Sequence, residues 1–159
     1  MSDIYLMPGH LIRRLQQISS SIFAQHMKAA GTDLTSPQFA ALAMINDHPL
    51  IDQATLAGAI AFDRATIGGV VDRLVTKKFV ERSTNPNDRR SRALKLTPEG
   101  ADVLSRLRPV VAACQDAILP SLSADEKAEF IRLAAKIASS ENEQSRAPLL
   151  EIARPRTKE

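Results

Sequence analysis

The chain has 159 residues, 44% of them apolar and 25% charged, with a formal net charge of +3, a size that fits one domain or one domain with helical extensions. No apolar run approaches the roughly 18 to 20 residues that cross a bilayer, and residues 1–11 lack the basic start and apolar stretch of a secretory signal, so a membrane or exported protein is not expected. Its single cysteine, Cys114, cannot form an intrachain disulfide and suits a reducing cytoplasm.

Leu11, Leu15, Ile18 and Ile22 recur at steps of four, three and four, which predicts a helix with one buried stripe from about Pro8 to about Gly31. A second helix starts at Thr35-Ser36-Pro37-Gln38. Either Thr35 caps it with Gln38 completing a capping box, or Ser36 caps it with Pro37 in the first helical position. This helix carries Phe39, Leu42 and Ile45 inward and stops near His48-Pro49, because proline disfavours helical geometry in the residue before it. Asp52 can cap a short third helix containing Leu56, Ala57 and Ile60. Asp63 can cap a fourth whose inward residues are Ile67, Val70, Val71 and Leu74.

Phe79–Arg82 and Ala93–Leu96 read as strands on either side of a tip, Asn85-Pro86-Asn87-Asp88-Arg89-Arg90, built of turn-forming and basic residues. Thr97-Pro98 opens a long helix with the stripe Val103, Leu107, Val110, Cys114 and Ile118; Pro109 within it predicts a kink or a local break. Ser123 and Glu126 form another capping box, and the last clear helix turns Phe130, Leu133 and Ile137 inward. The pattern weakens from about Ser139, and residues 154–159 read as a frayed end.

The order helix, helix, turn, helix, basic hairpin predicts a mainly α fold with a small β wing, a winged helix-turn-helix. Its boundaries fall at 1–34 for an N-terminal dimerisation helix, 35–97 for the DNA-binding domain and 98–159 for C-terminal dimerisation helices and tail. The apolar stripes at both ends exceed what a small winged helix needs for its own core, and a second copy of the chain is the economical cover for them. Charge is concentrated in the same module. Phe62 to Leu96 holds nine basic and four acidic residues, so this segment carries +5 and the remainder −2, the asymmetry expected of a phosphate-binding surface.

On the fourth helix Arg64, Ala65, Thr66, Gly68 and Arg73 fall mainly away from the apolar stripe. The first turn of such a helix reaches base edges, which selects Arg64, Ala65 and Thr66 as the leading readers. Gly68 and Gly69 would allow close approach to DNA or to a neighbouring helix. Arg89, Arg90 and Arg92 place cations at and behind the wing tip, where a narrow minor groove offers the strongest negative potential. Asp88 is better suited to orienting one of those arginines than to touching DNA. Paired modules would read an inverted repeat in double-stranded DNA with half-sites roughly 34 to 36 Å apart or a multiple of that.

Asp88-Arg89-Arg90 followed by Leu94-Lys95-Leu96-Thr97-Pro98-Glu99-Gly100 resembles the wing-to-helix signature of the MarR family. Leu56-Ala57, Thr66, Val71, Leu74 and Val80-Glu81-Arg82 fit the same pattern, and the similarity runs from the first helix through the last. One departure is Lys78, where such proteins commonly have glycine between the recognition helix and the first wing strand. The resemblance implies a homodimer with interlocked terminal helices that binds palindromic operator DNA, usually as a repressor, and that many members release on binding a small phenolic or aromatic acid. It also implies a ligand cavity between the dimer helices and the DNA module, with His10, Arg13, Arg14 and Gln17 as its polar contacts and an arginine near Arg14 holding the acid group. Residues 142–149 look like a tail shared by a subgroup of the family.

No nucleophile–base pairing and no glycine-rich phosphate loop is recognisable, and His10, His26 and His48 lack metal-ligand spacing, so no catalytic residue, metal or cofactor is expected. Two other readings remain at the level of sequence. One is a protein-interaction winged helix without DNA affinity; the other is a redox-sensing regulator acting through Cys114, which would require exposure and a lowered thiol pKa.

Overall fold

The computed structural model describes residues 3–84 and 92–153. After a 3-10 turn at Asp3–Leu6, helix α1 spans Pro8–Ala29. Its end is closed by Gly31 in the left-handed region (φ +74°), which lets the Gly31 and Thr32 amides bond Lys28 O and Met27 O, each at 3.0 Å. The predicted stripe is only partly buried within the chain. Phe23 and Met27 enter the core, whereas Leu11, Leu15 and Ile18 remain 39% to 44% exposed.

Helix α2 spans Ser36–Asp47, and of the two caps the sequence allows, Thr35 is the one used. Its hydroxyl accepts from the Gln38 amide while Gln38 Oε1 accepts from the Thr35 amide at 2.9 Å. Completing this box turns Gln38 inward and buries it beside Ala41, Leu42 and Ile45. Phe39, expected inside, is consequently only half-buried.

A strand not anticipated from the sequence, β1 (Ile51–Asp52), precedes α3 (Gln53–Ala59); two residues are too few to display alternation. Helix α4 (Ile67–Thr76) follows, then β2 (Val80–Thr84) and β3 (Arg92–Leu96). The sheet is antiparallel in the order β1-β3-β2, with Val80 opposite Leu96, Thr84 opposite Arg92, and Ile51 opposite Leu94. The tip between β2 and β3, with Asp88, Arg89 and Arg90, lies outside the described residues.

Helix α5 runs over Pro98–Ile118 without a break at Pro109. Pro109 is on the exposed side, and so is Ser105, whose carbonyl is left without its helical donor, so water can satisfy it. Leu104, Leu107 and Cys114 hold the inner face of α5 against the core on both sides of the proline. That core gathers Met27, Leu42, Ile45, Leu56, Ile67, Val71, Leu74, Val80 and Leu94 around the α3–α4 pair and the sheet. Helix α6 (Ala124–Ser140) starts with the expected Ser123–Glu126 capping box, but every one of its residues except Lys127 is exposed, Phe130, Leu133 and Ile137 included. After a 3-10 turn at Asn142–Gln144 the chain comes back to α3. No described helix is long and apolar enough to cross a membrane.

Candidate nucleic-acid interface

Three local devices aim the α3–α4 pair. Asp52 starts α3 by accepting from the Thr55 amide at 2.9 Å and the Thr55 hydroxyl at 2.6 Å. Burial pushes the Asp52 carboxyl up, but its hydrogen bonds from Thr55 and the Ala54 amide outweigh that and leave it below the usual carboxylate range. Ala61 ends α3 with φ +50°, placing the Ala61 amide on Gly58 O (3.1 Å) and the Phe62 amide on Ala57 O (2.8 Å). Asp63 then opens the second helix: its Oδ1 accepts from the Ala65 amide at 2.7 Å, and its carbonyl accepts from the Thr66 and Ile67 amides. The Ala65 amide first, and then Arg146, hold the Asp63 carboxyl below its ordinary range.

Regular helix begins at Ile67 rather than directly after Asp63. Arg64, Ala65 and Thr66 form a turn ahead of it, all three exposed, with the Thr66 hydroxyl donating to Asp63 O at 3.2 Å. Asp63 spends its side chain on an amide two residues ahead, which tightens this stretch into a turn. The inward face is as the sequence predicts: Ile67, Val71 and Leu74 are buried and Val70 half-buried. Arg73 is exposed on the outer face. Gly68 faces the start of α3, where an added Cβ would lie 3.5 Å from Gln53 Nε2, and Gly69 faces open space.

The end of α4 explains the departure at Lys78. Its φ of +61° lets the Lys78 amide reach Val75 O (2.9 Å) and the Phe79 amide reach Leu74 O (3.0 Å). This is the left-handed helix closure at which glycine carries no steric cost. The Lys78 carbonyl accepts from the Thr97 hydroxyl at 2.6 Å, and the same hydroxyl accepts from the Gly100 amide at 3.0 Å. One threonine therefore ties the end of α4 to the start of α5.

Several basic residues of this segment are paired off. Arg82 bonds Asp72, Lys77 bonds Asp33 and Lys95 lies 3.7 Å from Glu81. Arg64 and Arg73 form no ion pair with another described residue, and Arg92 is exposed on β3. The positive field that survives pairing thus lies along α4 and the root of the wing.

On α1, His10, Arg13 and Gln17 come together: Arg13 Nη1 donates to Gln17 Oε1 at 3.2 Å, and Arg13 Nη2 lies 3.4 Å from His10 Nδ1. Tyr5 meets the His10 ring edge-on at 5.8 Å, and His10 Nε2 is buried without a hydrogen-bond partner among the described residues. Arg14 is exposed and takes no part in this cluster. Cys114 is fully buried, and burial pushes its thiol pKa up. Both properties oppose the thiolate chemistry a redox sensor needs.

The tail docks at a place that nothing in the sequence indicates. Arg146 Nη2 donates to Asp63 Oδ2 at 3.0 Å and the Leu150 amide to Gly58 O at 2.9 Å, placing residues 146–150 against the α3–α4 turn. No periodicity marks this segment, so hydrophobic pattern could not have found it.

A short capped helix, a left-handed turn, a second helix with an exposed leading turn and a three-stranded sheet ending in a basic hairpin define a winged helix-turn-helix transcription regulator. The MarR family model matches residues 34–91. The HTH-type transcriptional repressor NicR of Pseudomonas putida is 36% identical over 139 residues, covering 87% of each chain. The chain belongs to the MarR family, whose members are transcription regulators. Among solved structures, the PcaV regulator of Streptomyces coelicolor in complex with its natural ligand superposes with a TM-score of 0.79 at 35% identity, covering 88% of this chain and 97% of that one. BpsR of Bordetella bronchiseptica, whose DNA binding is regulated by 6-hydroxynicotinic acid, superposes with a TM-score of 0.77 at 30% identity, covering 83% and 93%.

Proposed function

We propose that this chain is a homodimeric repressor that reads an inverted-repeat operator and releases it on binding a small aromatic acid. The observation that carries the DNA step is the exposed turn Arg64–Thr66, held by Asp63 ahead of a helix whose opposite face is locked into the core. Arg64 and Thr66 read base edges in the major groove, Ala65 makes room for the approach, and Arg73 meets the backbone. Gly68 serves the close packing of α4 on α3. The wing arginines 89, 90 and 92 enter the minor groove, with Asp88 orienting one of them. Residues 35–97 form the reading module; residues 1–34 and 98–159 pair the subunits. The exposed apolar faces of α1 and α6 support that pairing, since neither is covered within one chain.

For the effector, the supporting observation is the His10–Arg13–Gln17 cluster, with a guanidinium for a carboxylate and an unpartnered His10 Nε2 for a ring hydroxyl or nitrogen. BpsR's response to 6-hydroxynicotinic acid points to the same chemical class. Arg14 lies outside the cluster and contributes less.

Selection of binding sites from randomised duplexes tests the DNA step, and enrichment of an inverted repeat is the expected result. On the selected duplex, R64A and T66A should lose discrimination as well as affinity, by about 1 to 3 kcal/mol per base contact. Equal losses on selected and random DNA would refute the assignment. Calorimetry with a panel of aromatic acids tests the effector site: R13A and H10A should weaken binding more than R14A, and unchanged affinity in all three removes the site.

A further inference from the structure

Beyond Glu141 the chain forms a strap from the end of α6 to the turn proposed to read DNA. Asn142 shapes it, its side chain bonding both the amide (2.8 Å) and the carbonyl (3.1 Å) of Leu149 and drawing residues 142–149 into a closed loop. The strap is then fastened at three points. The Leu150 amide donates to Gly58 O at 2.9 Å, and Ile152 packs against the core. Arg146 bonds Asp63 Oδ2, while Oδ1 of the same carboxylate holds the Ala65 amide. The Leu150 side chain occupies the space beside Gly58: an added Cβ there would lie 2.9 Å from Leu150 Cγ and 3.2 Å from its Cβ.

We infer that Arg146 is a positioning residue for operator recognition: through Asp63 it orders and neutralises the turn Arg64–Thr66, and the strap couples α6 to that turn. The inference rests on the reading of Arg64–Thr66 as the base-contacting turn. An uncompensated Asp63 carboxylate at that site would face the phosphate backbone and oppose binding; the guanidinium cancels that charge while leaving the cap on Ala65 in place. Arg146 itself reaches the turn through Asp63, not through a reader side chain.

The same geometry supplies a probe that substitutes no residue of the reading turn or of the strap. Gly58 lies inside α3 with a right-handed backbone, so G58A improves helix propensity while its methyl displaces Leu150.

The experiment measures affinity for a duplex selected from a random pool, and for random DNA, against salt concentration. In R146A and G58A, affinity for the selected duplex should fall about two- to fivefold, with an unchanged salt slope and an unchanged melting temperature. Amide exchange at Ala65 should quicken. D63N keeps a side-chain acceptor for the Ala65 amide but removes the charge, so adding R146A to D63N should cost nothing further. An undiminished R146A loss in the D63N background, with a salt slope lower by about one, would make Arg146 an ordinary phosphate contact and overturn the inference. Unchanged affinity and unchanged Ala65 exchange in both R146A and G58A would overturn it as well. If R64A and T66A leave discrimination intact, the reading turn is misassigned, a failure distinct from that of the strap because the Ala65 exchange rate reports on the strap without DNA.

Discussion

Replacing Gly100 by alanine puts a methyl group against the backbone of Phe79. The added Cβ would lie far inside van der Waals contact with Phe79 O, 2.8 Å from its carbonyl carbon and 3.0 Å from its Cα. None of these atoms can rotate away, so α5 must lift off the β2 end of the sheet. The lift would strain two hydrogen bonds, Thr97 amide to Phe79 O (3.1 Å) and Thr97 hydroxyl to Lys78 O (2.6 Å), worth about 1 kcal/mol each. Overpacking adds about 1 to 3 kcal/mol, and the helix propensity of alanine returns about 1 kcal/mol. The net loss is about 2 to 4 kcal/mol, or a fall in Tm of about 4 to 16 °C for a chain of this size. Thermal unfolding followed by circular dichroism, at one fixed protomer concentration because the proposed association would contribute to stability, is the assay. A Tm unchanged or raised would mean that propensity alone governs the site, and the close approach of α5 to Phe79 would be refuted.

K78G should stabilise the fold by about 0.5 to 1 kcal/mol, because relief of the left-handed backbone outweighs the added freedom of the unfolded chain; urea unfolding with a lowered midpoint would contradict this. Aspartate at both Leu133 and Ile137, exposed on α6, should leave helix content intact but shift sedimentation from dimer to monomer, and a persisting dimer would remove α6 from the interface. Asp52 has a lowered folded pKa, so its stabilisation is complete above the ordinary carboxylate value and is lost as pH falls through the folded one. D52N should therefore flatten the acid limb of stability below about pH 4, read as Tm against pH, and parallel profiles for D52N and the parent would show that the cap is not what titrates.

The parts of the fold that the sequence discloses are those whose signal is local and whose partners lie within the same chain. Asp52, Thr97 and Ser123 are legible because a cap is a short-range bond between a side chain and an amide three residues away; Asp63, expected to cap the fourth helix, instead bonds the Ala65 amide in a turn ahead of it. Ile67, Val71 and Leu74 are legible because they repeat at the helical period over a buried face. Gln38 is legible as a capping-box partner but not as a buried residue; its Oε1 accepts from the Thr35 amide, and its stem can then be buried. Strand β1 is invisible because pairing with β3, not its own two residues, defines it. The stripes of α1 and α6 were readable as apolar, but periodicity says only that a face seeks cover; it does not distinguish the chain's own core from another subunit. In the candidate site, exposed Arg64 and Arg73 were readable from spacing. The clustering of His10, Arg13 and Gln17 needed only helical geometry; Arg14 shares that face by spacing, yet makes no bond to the cluster. Arg146 lies 83 positions from Asp63, and no local rule spans that separation.

Asp52 belongs to two elements at once: it pairs with Ala93 in the sheet and it caps α3. The first helix of the reading pair is thus continuous with β1, and β1 is hydrogen-bonded to the inner strand of the wing. β3 spans five residues, at about 3.3 Å each, with Ala93 second among them, so the offset between hairpin and helix is set by strand register and does not drift. The reading module behaves as a stencil of constant width, and slipping β3 by one residue would turn Ala93 and Leu94 inside out before it changed that width. In the proposed homodimer, any adjustment would then fall between two such stencils, across the long terminal helices, where the separation of two fixed patterns can change while neither pattern is redrawn.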